Sequence, residues 1–342
     1  MSTHSIQLTT RDGEQLRFDC GSEQNLLDAA AAAKITLPSQ CRQGSCGACH
    51  ASVQQGDYQL GEHRSGALPA GDGHAVLLCR TTPRSDLSVT LPYEHAKIQF
   101  HAVPTRSAEI VAVEPVAENT ARLELRLDPD ADGGSAAEFE PGQFMELEIP
   151  GTSERRAYSL ANTANWDGRL EFLIRLQPQG RFSTFLSQRA KPGLKLRVRG
   201  PQGAFGLDAA SLRPRWFVAG GTGLAPMLSM LRRMAEFQEL QEARLFFGVN
   251  DESELFAQDE LARLQAELPQ LRVELCVWRP RGAWTGFTGT PADALRRALA
   301  EAPPRPDIYL CGPPPMIDAA TQAAAEAGVP AAQVFSERFL PS

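Results

Sequence analysis

The chain has 342 residues, more than one hydrophobic core usually organises, so two or three domains are expected. Hydrophobic residues make up 42% and charged residues 22%, which excludes a disordered, collagenous or coiled-coil chain. A net charge of −7 offers nothing to nucleic acid, and no segment reads as a membrane span or signal peptide, so a cytoplasmic protein with no nucleic-acid or membrane partner is expected.

All six histidines lie at or before His101. A Ser-His-Asp triad or a histidine metal site confined to the last two thirds is thereby excluded. Chemistry there must rest on a cofactor, a carboxylate or bound phosphate. No heptad seam or long apolar face demands self-association, so a monomer is expected when the chain is free.

At the N-terminus, SIQLTT and QLRFDC alternate with a period of two around Asp12-Gly13 and read as a hairpin, and NLLDAAAAAKI reads as a helix. Cys41, Cys46 and Cys49 then follow at C-x4-C-x2-C spacing, with Cys79 further on. This is the plant-type [2Fe-2S] spacing, in which one loop supplies three thiolates and a distant strand end the fourth. Gly44 and Gly47 would let the backbone approach inorganic sulfide. Four-cysteine zinc is the competing reading, but structural zinc ordinarily uses two short C-x2-C knuckles and this chain has one. A Rieske centre would need two histidines on one iron, so His50 alone does not make one. Cys20, on the alternating segment, reads as a buried strand residue.

From about residue 98 the pattern becomes a run of strands: AEIVAVEPV, TARLELRL, QFMELEI, RRAYSL and LEFLIRL, which together predict a closed antiparallel barrel. In Arg156-Ala157-Tyr158-Ser159 a cation, an aromatic face and a hydroxyl share one strand, a set that can hold a flavin through phosphate, ring and N5 contacts. Gly180-Arg181-Phe182-Ser183 opens a helix whose first N–H groups can bind phosphate.

From Pro214 onward apolar strands (RWFVAG, RLFFGVN, LRVELCVW, DIYLCG) alternate with helical segments, the pattern of a doubly wound parallel sheet. Gly220, Gly221, Thr222 and Gly223 stand at the first strand-to-helix turn, where glycines admit a pyrophosphate, although the third glycine of the usual dinucleotide fingerprint is missing. Cys311, Gly312 and Pro313 form a second such turn at the carboxyl edge of the sheet. Cys311 reads equally as a packed strand-end thiol, and Cys276 as core. After RLFFGVN come Asn250, Asp251 and Glu252 with no arginine cluster for a 2′-phosphate, which favours NADH over NADPH.

The first 97 residues resemble the β-grasp of plant-type ferredoxins, and GGTGLAP with CGPPPM resembles the nicotinamide domain of the ferredoxin-NADP reductase superfamily. The order of cluster loop, RAYS, GRFS, GGTGLAP and CGPPPM resembles the reductase components of bacterial multicomponent oxygenases. FEPGQFMELEIPG, RLEFLIR, FVAGGTGLAP, DIYLCGPPPMIDAA and ERFLPS are similar to the component C reductases of soluble methane monooxygenase systems. The resemblance implies three domains (1–97 ferredoxin, 98–208 FAD barrel, 209–342 NAD domain) and a route from NADH through FAD and [2Fe-2S] to a di-iron hydroxylase. It further implies that Gly221 and Gly223 bind pyrophosphate, that Cys311 and Gly312 lie by the nicotinamide, and that Glu337 and Phe339 lie by the flavin, with Ser159, Cys311 and Glu337 the catalytic set. NADH yields two electrons together and a [2Fe-2S] centre takes one, so a flavin between them meets the requirement. Reductases of aromatic-ring dioxygenases or of phenol and toluene monooxygenases would share every cofactor motif. A non-enzymatic iron-sulfur redox sensor would not need RAYS or GGTGLAP.

Overall fold

The computed structural model describes residues 2–64, 66–68, 72–130, 134–301 and 305–338, and the chain forms two compact units, Met1–Pro104 with Gln202–Ala204, and Thr105–Pro201 with Phe205–Ser342.

In the first unit β1 (Thr3–Thr9) and β2 (Gln15–Gly21) pair antiparallel, and Gly13 takes the positive φ that the hairpin turn requires. Helix α1 (Leu26–Ala32) starts where the Asn25 side chain accepts a 2.8 Å hydrogen bond from the Asp28 N–H. It stops at Ala33, short of the Ile35 that the alanine run suggested, because Lys34 turns to a φ of 63°. The remaining strands are β3 (His50–Gln55), β4 (Tyr58–Leu60), β5 (Ala75–Leu77), β6 (Thr81–Pro83) and β7 (Leu87–Thr90). The main sheet runs β2-β1-β7-β3-β5, with β1 and β7 parallel at its centre, while β4 and β6 pair separately. Ile6, Leu8, Val53 and Val89 turn inward at alternate positions and pack on Leu26, Leu27, Ala29 and Ala30 of α1, which is the β-grasp arrangement. The segment after residue 97 packs with this unit: Ile98 is buried, and Thr36 and Gln99 exchange backbone hydrogen bonds of 2.8 and 3.2 Å.

The second unit begins with β8 (Thr105–Ala117), β9 (Thr120–Leu127), β10 (Phe144–Glu148), β11 (Arg155–Ser159), β12 (Arg169–Arg175), α2 (Arg181–Gln188) and β13 (Lys195–Gln202). The strands form one antiparallel sheet in the order β11-β10-β13-β8-β9-β12. Its two ends meet where Leu160 bridges Phe172 and the Ala161 N–H donates to the Glu171 carbonyl at 2.8 Å, closing the expected barrel. Then come β14 (Arg215–Gly220), α3 (Leu224–Glu236), β15 (Ala243–Val249), α4 (Gln258–Glu267), β16 (Leu271–Val277), β17 (Phe287–Thr288), α5 (Pro291–Leu299), β18 (Asp307–Gly312), α6 (Pro314–Glu326) and β19 (Val334–Arg338). Their sheet, β17-β16-β15-β14-β18-β19, is parallel throughout, with one apolar layer against α3 and α4 and another against α5 and α6. The strand order reverses between β14 and β18, the place where such sheets bind ligands.

Barrel and parallel sheet share a core, since Ala161 and Leu173 are buried with α3 residues. A charged cluster backs this seam. Arg232 of α3 donates to the Ala161 carbonyl at 2.8 Å and to the Glu171 carboxylate at 3.0 Å, and also pairs with Glu260 of α4. Arg122 of β9 lies 3.4 Å from both Glu171 and Glu260, completing a ring of two cations and two anions. Among the described residues no helix is long and apolar enough to cross a membrane.

Candidate functional site

Cys41, Cys46 and Cys49 sit in the irregular loop before β3, and Cys79 lies in a single 3-10 turn between β5 and β6. None is in a disulfide, and the sulfurs form two pairs: Cys46 donates to Cys41, and Cys49 donates to Cys79. The bond from Cys46, with the N–H groups of Gln43 and Ser45 at 3.4 Å from the sulfur, brings the Cys41 thiol down to about 5 despite its burial. The bond from Cys49 and the Gly44 N–H likewise hold Cys79 below the usual thiol range. Among the described residues no three Cys, His, Asp or Glu side chains converge on a single-ion position. Gly44 and Gly47 both have positive φ, and a methyl group on Gly47 would stand 2.7 Å from the Ala67 carbonyl oxygen, so the loop needs glycine for its path as well as for access to its centre. His50 is half-buried with Nδ1 3.0 Å from the Gly47 carbonyl, and its desolvation lowers its pKa, so it acts as a neutral loop brace.

In the second unit the barrel motif and the parallel sheet meet at one buried contact. Ser159, at the end of β11, donates from Oγ to Glu337 Oε2 of β19 at 2.8 Å. Glu337 lies in register with Cys311 on β18, and all three residues are buried. Burial pushes the Glu337 carboxyl up to about 7 even though the Ser159 hydrogen bond lowers it, and the Cys311 thiol is pushed up by burial and by Glu337. Ser159, Cys311 and Glu337 are therefore brought together; Phe339 lies outside the described residues.

Earlier on β11, Arg156 is partly exposed and lies 3.6 Å from Glu154, which also pairs with Arg181. Ala157 is half-buried between them and Tyr158, whose ring meets Phe182 with centroids 5.0 Å apart. Gly180 caps α2, and Ser183 turns back so that its Oγ accepts from the Gln177 N–H at 2.9 Å. RAYS and GRFS thus form one continuous surface, with a cation pair and a helix N-terminus at its edge.

The two turns of the parallel sheet are packed on each other. A methyl group at Gly223 would overlap the Cys311 carbonyl, and one at Gly220 would stand 2.9 Å from Pro313 Cδ. Gly312 closes against Gly220 from the other side. Gly221, with a φ of 54°, and half-buried Thr222 are the members that face outward, and Arg175 of the barrel approaches Gly221 while pairing with Glu254 at 3.2 Å. The expected pyrophosphate role of Gly223 thus shares its position with a packing demand. Cys276 is fully buried, with its thiol raised to about 12, and Cys20 likewise to about 11, as core residues should be.

Sequence reading missed the ring of Arg122, Glu171, Arg232 and Glu260, whose members lie on four elements and give no local signal. It also missed Arg279 and Arg281, which fold back on Asn250, Asp251 and Glu252. Arg279 N donates to the Asn250 carbonyl at 2.8 Å, and the Arg281 guanidinium pairs with Asp251 at 2.8 Å. That loop holds two arginines, one of them neutralised by a carboxylate.

Residues 9–84 match the family described as 2Fe-2S iron-sulfur cluster binding domain, 107–206 the oxidoreductase FAD-binding domain and 217–322 the oxidoreductase NAD-binding domain. Methane monooxygenase component C of Methylosinus trichosporium is 42% identical over 86% of this chain and 87% of its own length. The anthranilate 1,2-dioxygenase electron transfer component of Acinetobacter baylyi is 34% identical over 99% and 98%. Among solved structures, the cytochrome P450 reductase GcoB of Amycolatopsis superposes with a TM-score of 0.74 at 29% identity, over 98% of this chain and 99% of that one. The chain belongs to the reductase components of multicomponent oxygenases and is an NADH oxidoreductase that carries electrons from NADH through FAD to a [2Fe-2S] centre and on to an oxygenase component.

Proposed function

We propose that the electron acceptor is a di-iron hydroxylase of the methane monooxygenase type. The observation that carries this is the higher identity to the methane monooxygenase relative, 42% against 34% for the anthranilate dioxygenase one, together with the motif order noted above. The protein works as a cytoplasmic monomer in this reading, organised as domains 1–97, 98–208 and 209–342, the stretch up to Pro104 packing with the first of them.

Cys41 and Cys46 would hold one iron, and Cys49 and Cys79 the other. The paired sulfurs, the N–H groups aimed at Cys41 and the glycine-lined loop fit a two-iron cluster better than a single zinc ion. Arg156, Ala157, Tyr158 and Ser159, with Gly180, Arg181, Phe182 and Ser183, would hold FAD: Arg156 and the α2 N-terminus take phosphate, and Tyr158 offers its ring. Gly220, Gly221, Thr222 and Gly223, with Cys311, Gly312 and Pro313, would hold NADH at the reversal of strand order. When bound, FAD takes the two electrons of NADH together and gives them up singly.

The chain's own contribution is position and a proton. Ser159 fixes the Glu337 carboxyl from the barrel side, and β18 fixes it from the Cys311 side. Because Glu337 titrates at about 7, it can hold or release a proton at working pH, while Ser159 presents a hydroxyl that can pass one. Burial of Cys311 keeps its thiol protonated, an uncharged wall.

The test is reconstitution with purified hydroxylases under NADH. Product formation with a methane-type di-iron hydroxylase, lost in Cys46→Ser, supports the reading. Turnover only with an aromatic-ring dioxygenase overturns it in favour of the alternative.

A further inference from the structure

We infer that Phe335 is a positioning residue for Glu337: its ring, stacked on Tyr309, walls the outer edge of the parallel sheet below the carboxyl, keeps water from it and holds it on Ser159. The inference rests on the reading that Glu337 holds or releases the proton of the reaction.

Three observations converge on Phe335. The first is register. On the face of the sheet that packs with α3, Phe217, Tyr309 and Phe335 form one row across β14, β18 and β19, and Ala219, Cys311 and Glu337 form the next row toward the carboxyl ends of the strands. Phe335 is thus the neighbour of Glu337 two residues back along its own strand, on the same face. The second is the stack: the Tyr309 and Phe335 ring centroids lie 5.0 Å apart with planes 12° from parallel, and Phe217 continues the stack beyond Tyr309 at 5.4 Å. Tyr309 is fully buried and its hydroxyl accepts from the Asp208 N–H at 3.1 Å, so it gives the Phe335 ring a fixed surface to lie on. The third is exposure: β19 stands at the edge of its sheet, where a carboxylate is ordinarily hydrated, yet Glu337 is 8% exposed.

Phe335 itself stays half-buried, with one ring face on Tyr309, so it stands between the solvent edge and the carboxyl. The other groups that face Glu337 are neutral: the Ser159 hydroxyl from β11, at 2.8 Å, and the Cys311 thiol from β18, which burial keeps protonated, while α3 contributes apolar side chains to the same layer. Tyr309, in the row below, is pushed up to about 12 by burial and stays a phenol. Arg338 alternates to the opposite face, where its guanidinium pairs with Asp318 of α6 at 2.6 Å. With no counter-charge acting on it among the described residues, the carboxyl is governed by how much water reaches it, and the Phe335 ring sets that at the edge.

The test follows NADH-dependent ferricyanide reduction against pH in the full-length holoprotein of the wild type, Phe335→Ala, Phe335→Val and Phe335→Tyr, with Glu337→Gln as reference and flavin content measured in each. Phe335→Ala admits water to the carboxyl and lowers its proton affinity about tenfold, so the inflection near pH 7 should move to acid by about one pH unit. Phe335→Val, which suits a strand and folds more safely, should move it about half as far, and Phe335→Tyr, which keeps the ring, should leave it in place. Infrared titration of the carboxyl stretch in the resting protein should show the same shifts without turnover, a readout that a loss of stability alone would not move. An inflection unmoved in Phe335→Ala and Phe335→Val, when Glu337→Gln has abolished it, overturns the inference and leaves the proton reading standing. An inflection that survives in Glu337→Gln overturns the proton reading, and the inference with it.

Discussion

Replacing Glu337 with glutamine isolates the buried carboxyl that the barrel residue Ser159 holds on the last strand of the nicotinamide sheet. The side chain is 8% exposed, and burial, opposed by the Ser159 hydrogen bond, takes its pKa from 4.5 to about 7. An acid whose folded pKa lies above its unfolded value binds more protons in the native state, so stability is lost as pH rises from about 4.5 and the loss is complete once pH passes the folded pKa. For a shift of this size the penalty is about 1 kcal/mol at pH 5, about 2 at pH 6 and about 3 above pH 8. Glutamine has the same shape, can still accept from Ser159 and carries no charge, so it escapes the penalty. Every other titrating group is common to both proteins and cancels in the difference. Urea unfolding at a series of pH values from 4.5 to 8.5 should therefore give curves that converge at the acid end and separate steadily, the variant being more stable by about 3 kcal/mol at pH 8. NADH-dependent reduction of ferricyanide should lose its inflection near pH 7 in the same variant. Parallel stability curves, or a gap that widens toward acid, would refute the claim that Glu337 is held protonated by burial.

Further substitutions test the rest of the site. Ser159→Ala removes the one interaction that lowers the Glu337 pKa, so the same activity inflection should move to higher pH. Gly223→Ala drives a methyl into the Cys311 carbonyl, and the two turns must separate; a loss of about 1–3 kcal/mol and a raised KM for NADH at normal flavin content are expected in thermal melts and steady-state assays. Arg232→Met leaves the Glu171 and Glu260 carboxylates sharing Arg122 alone, which should cost about 3 kcal/mol by urea unfolding and slow flavin reduction in stopped-flow traces through the loosened Ala161 anchor. Cys46→Ser should abolish the cluster spectrum while sparing NADH–ferricyanide activity.

What the sequence made legible is what lies close together along the chain. The Asp12-Gly13 hairpin, the C-x4-C-x2-C loop, the alternation of β8 to β12 and the strand-to-helix turn at Gly220 each put their signal inside one short window. Strand β13 carries the same alternation in LKLRVR but was not among the strands read, and α5, with its Thr290–Asp293 capping box and Pro291, was also passed over. The site itself is non-local. Ser159 and Glu337 are joined by one hydrogen bond across 178 positions, and only resemblance pointed to the second partner. Glu171 stands in a strand whose neighbours are all buried, and its cations come from β9 and α3, so no window of sequence contains the reason it is tolerated. Gly223 reads in the sequence as a candidate ligand-binding residue, while its packing against the Cys311 carbonyl, from a strand far along the chain, leaves no local signal.

The absence of histidine after His101 bears on the proton role proposed for Glu337. Full reduction of a flavin to its neutral form takes one proton besides the hydride, and an unperturbed imidazole is the usual side chain that could supply it near neutrality. A carboxyl at its ordinary pKa would be ionised at pH 7 and useless as a donor, so the fold must raise it, and desolvation at the β18–β19 edge does so without any second charge beside it. The same burial keeps Cys311 neutral, so two groups that could each have placed an anion next to the incoming electrons are both held uncharged below about pH 7. This arrangement makes a sharp demand. Glu337→His would install an imidazole in a site that desolvates cations, lowering its pKa and removing the donor at neutral pH, so the variant should be slower than wild type at pH 7 and recover toward pH 5. A histidine variant as fast as wild type at pH 7 would show that proton supply at this position does not depend on the buried carboxyl.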